Sequence, residues 1–316
     1  MCAVFGFLDY KSKISNTILK KLIQNLSIAA EVRGTDATGI SYMNHEKVVT
    51  FKKAKPAHKM KLYFPRNTRA VIGHTRMTTQ GSEKYNHNNH PFNGRCGTET
   101  FALAHNGVLY NHAELKTKYR LSKTPIETDS YVAVQLLEQK KQLHAESIKK
   151  MVESVEGSFV FTILRNDNTL FLVKGNNPLT LYHFPALGLY VYVSTKSILD
   201  NALQQVNLSD KCCEIDVSEG EIVEIASSGK LSRTTFAMQD SVFSPYNWDN
   251  LNWYETEEQE ECLLECCQMF GVPEEDVYLL LDYGFSADEI EEMLMNPNLL
   301  EDALAEISVL KQEDAE

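Results

Sequence analysis

The sequence predicts an α+β body, two sheets with helices packed outside them, followed by a small α-helical unit. Three observations predict it. Strand-like runs lie on either side of helical ones along the first 245 residues, and a 43% hydrophobic content supports an ordinary core rather than disorder. The charge is also split along the chain: residues 255–316 hold 20 Asp/Glu against the single Lys311, a net of −19, which leaves +7 for the rest. The stretch Ser244-Pro245-Tyr246-Asn247-Trp248-Asp249-Asn250 has turn chemistry and reads as a linker. The boundary is therefore expected near residue 245, with a body at 2–245 and a linker plus acidic helical module at 246–316.

Met1-Cys2-Ala3-Val4-Phe5-Gly6-Phe7 has neither the basic run nor the long apolar core of a secretory signal and reads as a short buried strand. Helical spacing of Leu22, Leu26, Ala29 and Ala30 predicts a helix over 19–32, ending at Arg33-Gly34. Strands are expected at 39–43, 48–51, 70–75 and 101–104, and helices at 130–139 and 145–155. Four short strands with Asn/Asp/Gly turns follow at 159–165, 169–174, 180–184 and 189–195. In the acidic module, apolar spacing predicts three helices at 274–281, 287–295 and 299–310, broken at Tyr283-Gly284-Phe285-Ser286 and Asn296-Pro297-Asn298. The Gly-Phe turn is similar to that of ubiquitin-associated-type bundles.

Several function classes are disfavoured. No apolar run approaches the ~20 residues that cross a bilayer. The positive charge of the body is spread, with no Lys/Arg stripe interleaved with aromatics, so nucleic acid is not an expected partner. The seven cysteines are Cys2, Cys96, Cys212, Cys213, Cys262, Cys266 and Cys267. An odd count with two adjacent pairs points to reduced thiols and a cytoplasmic setting. Cys262, Cys266 and Cys267 sit at helical spacing, and no histidine follows Cys213 to complete a common zinc site.

Cys2 is the residue with the most chemistry to offer. Removal of Met1 leaves one residue with a thiol and a free α-amine of pKa ~7.7–8.0, so nucleophile and base need no separate histidine. Seen alone, Cys2 reads rather as a small buried residue of a core strand. Four polar islands bear on the choice. Arg33-Gly34-Thr35-Asp36-Ala37-Thr38-Gly39 follows a helix, where Arg33 and Asp36 can pair to brace a turn. Gly73-His74-Thr75-Arg76-Met77-Thr78-Thr79-Gln80-Gly81 ends a strand, and its Arg can fork onto a carboxylate while Thr hydroxyls complete the bonding. His105-Asn106-Gly107 offers an amide beside a Gly N–H, a pair of donors for one oxyanion, although Asn-Gly between apolar runs is also a hairpin signal. Glu127-Thr128-Asp129-Ser130 begins a helix, where capping explains the residue types as well as an ammonium site does. His90-Pro91, after Asn86-His87-Asn88-Asn89, has no standard metal spacing and reads as a structural loop.

Together with Cys2, these islands resemble the glutaminase domain of class II glutamine amidotransferases, members of the N-terminal-nucleophile hydrolases, over residues 2–235. Cys2-Ala3-Val4-Phe5-Gly6 is similar to the family's amino-terminal Cys-Gly-Ile-x-Gly, with Ala3 in place of glycine. The resemblance implies a four-layer αββα sandwich that hydrolyses glutamine to glutamate and ammonia, with no cofactor. It implies Cys2 as nucleophile, Asn106 and Gly107 as the oxyanion hole and Arg33 as the residue of the nucleophile-orienting loop. Arg76 and Thr79 then take the glutamine α-carboxylate, and Asp129 takes its ammonium group. Met77 and Gln80 depart from the tryptophan and histidine common in sugar-phosphate-forming members. The 70–80 residues after the body are too few for a synthase, so a separate ammonia-accepting subunit, docked through the acidic module, is expected. The alternatives are a free-standing amidohydrolase acting on another γ-glutamyl or amide substrate, and a non-catalytic scaffold that keeps the fold.

Overall fold

The computed structural model describes residues 2–45, 47–206, 208 and 211–238, and in the C-terminal part 263, 264, 267, 268, 270–283, 285, 290, 293, 294, 299, 300, 303–305 and 307. By its contacts the chain divides into two units, Met1–Ser244 and Pro245–Glu316.

In the first unit, β1 (Ala3–Asp9) is buried at all seven positions because it lies in the middle of a sheet, between β4 (Ala70–Arg76) and β10 (Leu189–Val193). Both of its faces are covered, so its sequence reads as a continuous apolar run rather than an alternation. β2 (Ala37–Asn44), β3 (Lys47–Lys53), β9 (Thr180–Phe184) and β11 (Cys213–Ile215) complete a seven-stranded sheet in the order β11-β9-β10-β1-β4-β2-β3. A six-stranded sheet, β13-β12-β8-β7-β6-β5, is built from β5 (Phe92–Cys96), β6 (Glu99–Leu109), β7 (Gly157–Arg165), β8 (Leu170–Lys174), β12 (Glu221–Ile225) and β13 (Leu231–Thr235). The registered neighbours pair antiparallel.

Three apolar clusters define the layers. Outside the first sheet, Leu22, Ile23 and Leu26 of α1 (Asn16–Ala29) and Ile198 and Leu199 of α5 (Lys196–Gln204) pack on Phe5, Phe7 and Val191. Outside the second, α2 (His112–Lys118), α3 (Tyr131–Glu138) and α4 (Ala145–Val152) cover Leu103, Phe161 and Phe171. Between the sheets, Val4, Leu8 and Ile72 meet Ala102, Ala104, Val160 and Leu172. The alternation of strand side chains sends odd positions of β1 outward and even ones between the sheets. The result is the αββα sandwich.

The expected strands and helices of the body are present, with ends shifted by a few residues. The 19–32 segment stops as α-helix at Ala29 and finishes in a 3-10 turn, Ala30–Arg33. The largest difference is at Asn106-Gly107, where the local signal suggests a turn. β6 instead continues through both, pairing Asn106 with Val160 and Gly107 with Phe159. The long apolar partner β7 overrides local turn chemistry, as strand propensity is set by neighbours. Glycine is still required there: φ is +141°, and a Cβ would lie 1.9 Å from the Ser158 carbonyl oxygen. β5, α2, α5 and β11 to β13 are not marked by the pattern, being short; α2 buries only Leu115.

In the second unit, α6 (Glu274–Asp282) has three acidic residues in its first turn, which suits the positive end of a helix. Val277 and Leu280 join a small core with Leu263, Cys267, Ile290, Leu294 and Ile307. The helices expected at 287–295 and 299–310 fall largely outside the described residues, as do the 244–250 linker, Cys262 and Cys266. Among the described residues no helix is long and apolar enough to cross a membrane.

Candidate active site

Antiparallel register brings the start of β1 beside the end of β4. Ala3 pairs with Thr75, so Cys2 and Arg76 reach the same end of the sheet, and Ala37 of β2 pairs with Arg76. The Cys2 thiol lies between the N–H and the carbonyl of Met77, each 3.4 Å from Sγ. Gly34 lets the preceding loop pass against this backbone, since a Cβ there would be 2.5 Å from Met77 N. Arg33 Nε donates to the Cys2 carbonyl oxygen at 2.8 Å. Asp36 turns the other way, its carboxylate accepting from Thr78 N–H at 2.7 Å. The loop is thus braced onto Cys2 and onto the 77–81 segment.

The second sheet supplies the opposite wall. β5 pairs with β6 only as far as Leu103, so beyond it β6 has β7 as its strand neighbour on one side alone. On the open side the His105 carbonyl accepts from His74 Nε2 at 2.9 Å, and Leu109 N–H donates to Asp129 Oδ2 at 2.6 Å. Period-two alternation turns the Gly107 backbone toward that same side. The Asn106 side chain is buried, and neither its Nδ2 nor its Oδ1 has a hydrogen-bond partner. An unpaired buried amide is costly, so a ligand group is a natural complement to it.

These walls enclose a crevice with about 250 Å³ of empty space, lined by Cys2, Arg76, Thr79, Gly107 and Asp129 together with Met77, Gln80, His90, His105, Thr128 and Ser130. Five of the seven residues singled out in the sequence therefore line one crevice. Arg33 acts on Cys2 from behind, and Asn106 precedes the lining Gly107.

Electrostatics divides the crevice. Burial pushes the Cys2 thiol pKa up, against the pull of the Met77 N–H and the Arg76 charge, so an unassisted thiol stays protonated at neutral pH. Arg76 is buried and donates to Asn89 Oδ1 at 2.7 Å, and to the carbonyls of Gln80 at 2.6 Å and Gly81 at 2.7 Å. Behind Asn89, Lys52 donates to the carbonyls of Asn89 and Pro91. Burial, with Arg76 nearby, pushes the Lys52 pKa down to about 8. Opposite, the Asp129 carboxylate accepts from Leu109 N–H and from the Ser130 hydroxyl. A cation and an anion thus line the same crevice as the thiol.

Three histidines back the crevice. His74 stacks on His90 with ring centroids 4.2 Å apart, and His105 Nδ1 meets Ser130 Oγ at 2.8 Å. Burial lowers the pKa of all three, that of His74 to about 3, so they are neutral. Both ring nitrogens of His90 and the Thr128 hydroxyl are buried without a hydrogen-bond partner. His90, expected in a structural loop, lies in the crevice wall, and nothing in its spacing marks that role.

Residues 74–200 match the family described as glutamine amidotransferase domain. These residues form a glutamine amidotransferase domain. The chain is similar to the glutamine–fructose-6-phosphate aminotransferase (isomerizing) of Bacillus subtilis strain 168, 32% identical over 187 residues, 57% of this chain and 30% of that protein. The Staphylococcus epidermidis protein of the same description is 32% identical over 188 residues, with the same two coverages. The match thus spans about a third of the length of these relatives. The fold is that of glutamine phosphoribosylpyrophosphate amidotransferase from Bacillus subtilis, solved with ADP and GMP, at a TM-score of 0.59, 21% identity, 75% of this chain and 50% of that one. The allosteric regulatory enzyme of purine biosynthesis gives 0.58 at 22% identity, covering 75% of this chain and 49% of that one. The family match begins at His74, so it takes in Arg76, Thr79, Asn106, Gly107 and Asp129 while Cys2 and Arg33 precede it.

Proposed function

We propose that residues 2–245 hydrolyse glutamine to glutamate and ammonia with Cys2 as the nucleophile, once Met1 has been removed. The observation that carries this reading is one crevice lined by Cys2, Arg76, Asp129 and Gly107 together. An amino acid has a carboxylate and an ammonium group at one end, and Arg76 and Asp129 offer the matching charges. Thr79 adds a hydroxyl at the carboxylate end, and the side-chain amide is left to the thiol.

Cys2 nitrogen is bonded to Met1 in the full chain and has no basic lone pair. Cleavage of that bond frees an α-amine that takes the thiol proton as sulfur attacks the glutamine amide carbon. The carbonyl oxygen becomes an oxyanion, for which the Asn106 Nδ2–H₂ and the Gly107 N–H are donors. The ammonium formed on Cys2 returns its proton to the departing nitrogen, and ammonia leaves the γ-glutamyl thioester. Water, deprotonated by the same amine, then attacks the thioester; glutamate leaves and the thiol is restored. Arg33, on the Cys2 carbonyl, fixes the residue that carries both nucleophile and base.

The ammonia passes to a separate synthase subunit in this reading, with the 246–316 module as its docking element. Its net charge of −19 over residues 255–316 favours a basic partner surface. The test is mass spectrometry of the amino terminus together with labelling by 6-diazo-5-oxo-norleucine. A Cys2 terminus that carries the label supports the reading, and a retained Met1 in a protein that releases glutamate from glutamine rules it out.

A further inference from the structure

A ring of hydrogen bonds joins two residues of the crevice lining, Gln80 and Asp129, to Leu109 and His112. Gln80 Oε1 accepts from Asp129 N–H at 3.2 Å, and Asp129 Oδ2 accepts from Leu109 N–H at 2.6 Å. The Leu109 carbonyl accepts from His112 Nδ1 at 2.9 Å, and His112 Nε2 meets Gln80 Nε2 at 3.3 Å, which completes the circuit. The proton positions follow from the partners. A carbonyl oxygen only accepts, so His112 carries its proton on Nδ1 and leaves a lone pair on Nε2. The Gln80 amide therefore donates its N–H to His112 and turns its oxygen to Asp129. Each of the four residues gives one bond to the next.

The ring joins the two charged groups of the crevice. Arg76 Nη2 donates to the Gln80 backbone carbonyl at 2.6 Å, and Asp129 belongs to the ring itself. Gln80 is thereby tied through its backbone to Arg76 and through its side chain to Asp129. The remaining ring link, Gln80 to His112, is the longest of the four, and Gln80 is exposed. It joins the 77–81 segment to the start of α2, which packs against the second sheet and does not line the crevice.

We infer that Gln80 and His112 form a clasp that holds the 77–81 segment across the crevice and sets the separation of the Arg76 and Asp129 groups. Both are positioning residues, and His112 acts entirely through Gln80. With the clasp closed, the cationic and anionic ends of the crevice stay in register for a ligand with a carboxylate and an ammonium group on one carbon. With it open, Gln80 keeps its bond to the Asp129 N–H but loses its tie to α2. The clasp therefore acts on substrate affinity through Gln80 and Asp129, at the end of the segment away from the Met77 backbone that holds the thiol. The affinity statement rests on the glutaminase reading; the mechanical one does not.

The decisive variant is His112→Phe, which removes the far link and no crevice atom. Amide exchange followed by NMR reads the ring directly, because the Asp129 N–H is covered by Gln80 Oε1. Loss of one hydrogen bond predicts Asp129 exchange about fivefold faster and a glutamine KM about fivefold higher, with kcat changed by less than about twofold. Gln80→Leu moves KM in the same direction, and the double variant is no weaker than the worse single one, because both cut one circuit. Unchanged Asp129 exchange in His112→Phe, an effect on kcat with KM constant, or multiplicative effects in the double variant overturn the inference. Gln80→Leu, on an exposed segment, serves the same comparison if His112→Phe fails to fold. A wild-type protein that releases no glutamate defeats the glutaminase reading, while the exchange measurement still decides the clasp.

Discussion

Arg33 Nε donates to the carbonyl oxygen of Cys2 at 2.8 Å, so the guanidinium braces the backbone of the nucleophile residue. A charge-assisted bond of this kind contributes about 1.5–3 kcal/mol. Arg33→Lys keeps the charge and loses the directed N–H. The expected result is a kcat lower by about tenfold with the glutamine KM nearly constant. A rise in KM at constant kcat would assign Arg33 to binding instead.

Cys2→Ala removes a thiol whose hydrogen bonds are the two 3.4 Å contacts to Met77. Glutamate release is expected to vanish, while unfolding stability changes by about 1 kcal/mol or less. Inserting a bulky residue between Met1 and Cys2, which blocks methionine removal, is expected to abolish activity equally. Full glutamate release from either variant sinks the mechanism.

Asn106→Ala separates catalysis from stability. Its side-chain amide has no partner within the fold, so its removal strands no donor or acceptor. Melting temperature should therefore stay within a few degrees of wild type, while kcat falls by about 10²–10³-fold from the loss of one oxyanion donor. A fall in stability with kcat unchanged would place Asn106 in a structural role.

Acid sensitivity follows from His74, His90 and His105. Each is buried with its pKa below the ordinary ~6.5, that of His74 near 3. Between those values the unfolded chain binds protons that the folded chain refuses, so stability falls as pH drops through that window. Each ring contributes a slope of up to about 1.4 kcal/mol per pH unit. Urea unfolding at pH 7 and pH 5 is expected to show a loss of several kcal/mol; equal stability at the two values would mean that the rings are charged in the fold.

Most strands of the body were legible because burial on both faces writes continuous apolar runs, as in β1 and β10. The short polar elements were not: α2 has one buried residue and no amphipathic face to detect, and β11 and β13 are edge strands with half-exposed patterns. Asn106-Gly107 shows the limit of local reading. The dipeptide has turn chemistry by itself, and only pairing with Val160 and Phe159 makes it strand. His90 is not marked as a crevice residue for the same reason, since its place depends on its contact with His74, and the bonds of Gln80 depend likewise on Asp129 and His112.

The sequence by itself determined which groups are available: an amino-terminal thiol, an Arg-Thr strand end, an Asn-Gly donor pair and an Asp at a helix start. It also set the charge split and the alternating patterns that build two sheets and their covering helices. Tertiary structure decided that these groups meet. Antiparallel register alone puts Cys2 beside Arg76, and the early end of β5 leaves one side of β6 open toward Asp129. Residues 75 and more positions apart become neighbours through strand pairing, which depends on the whole sheet rather than on any local run.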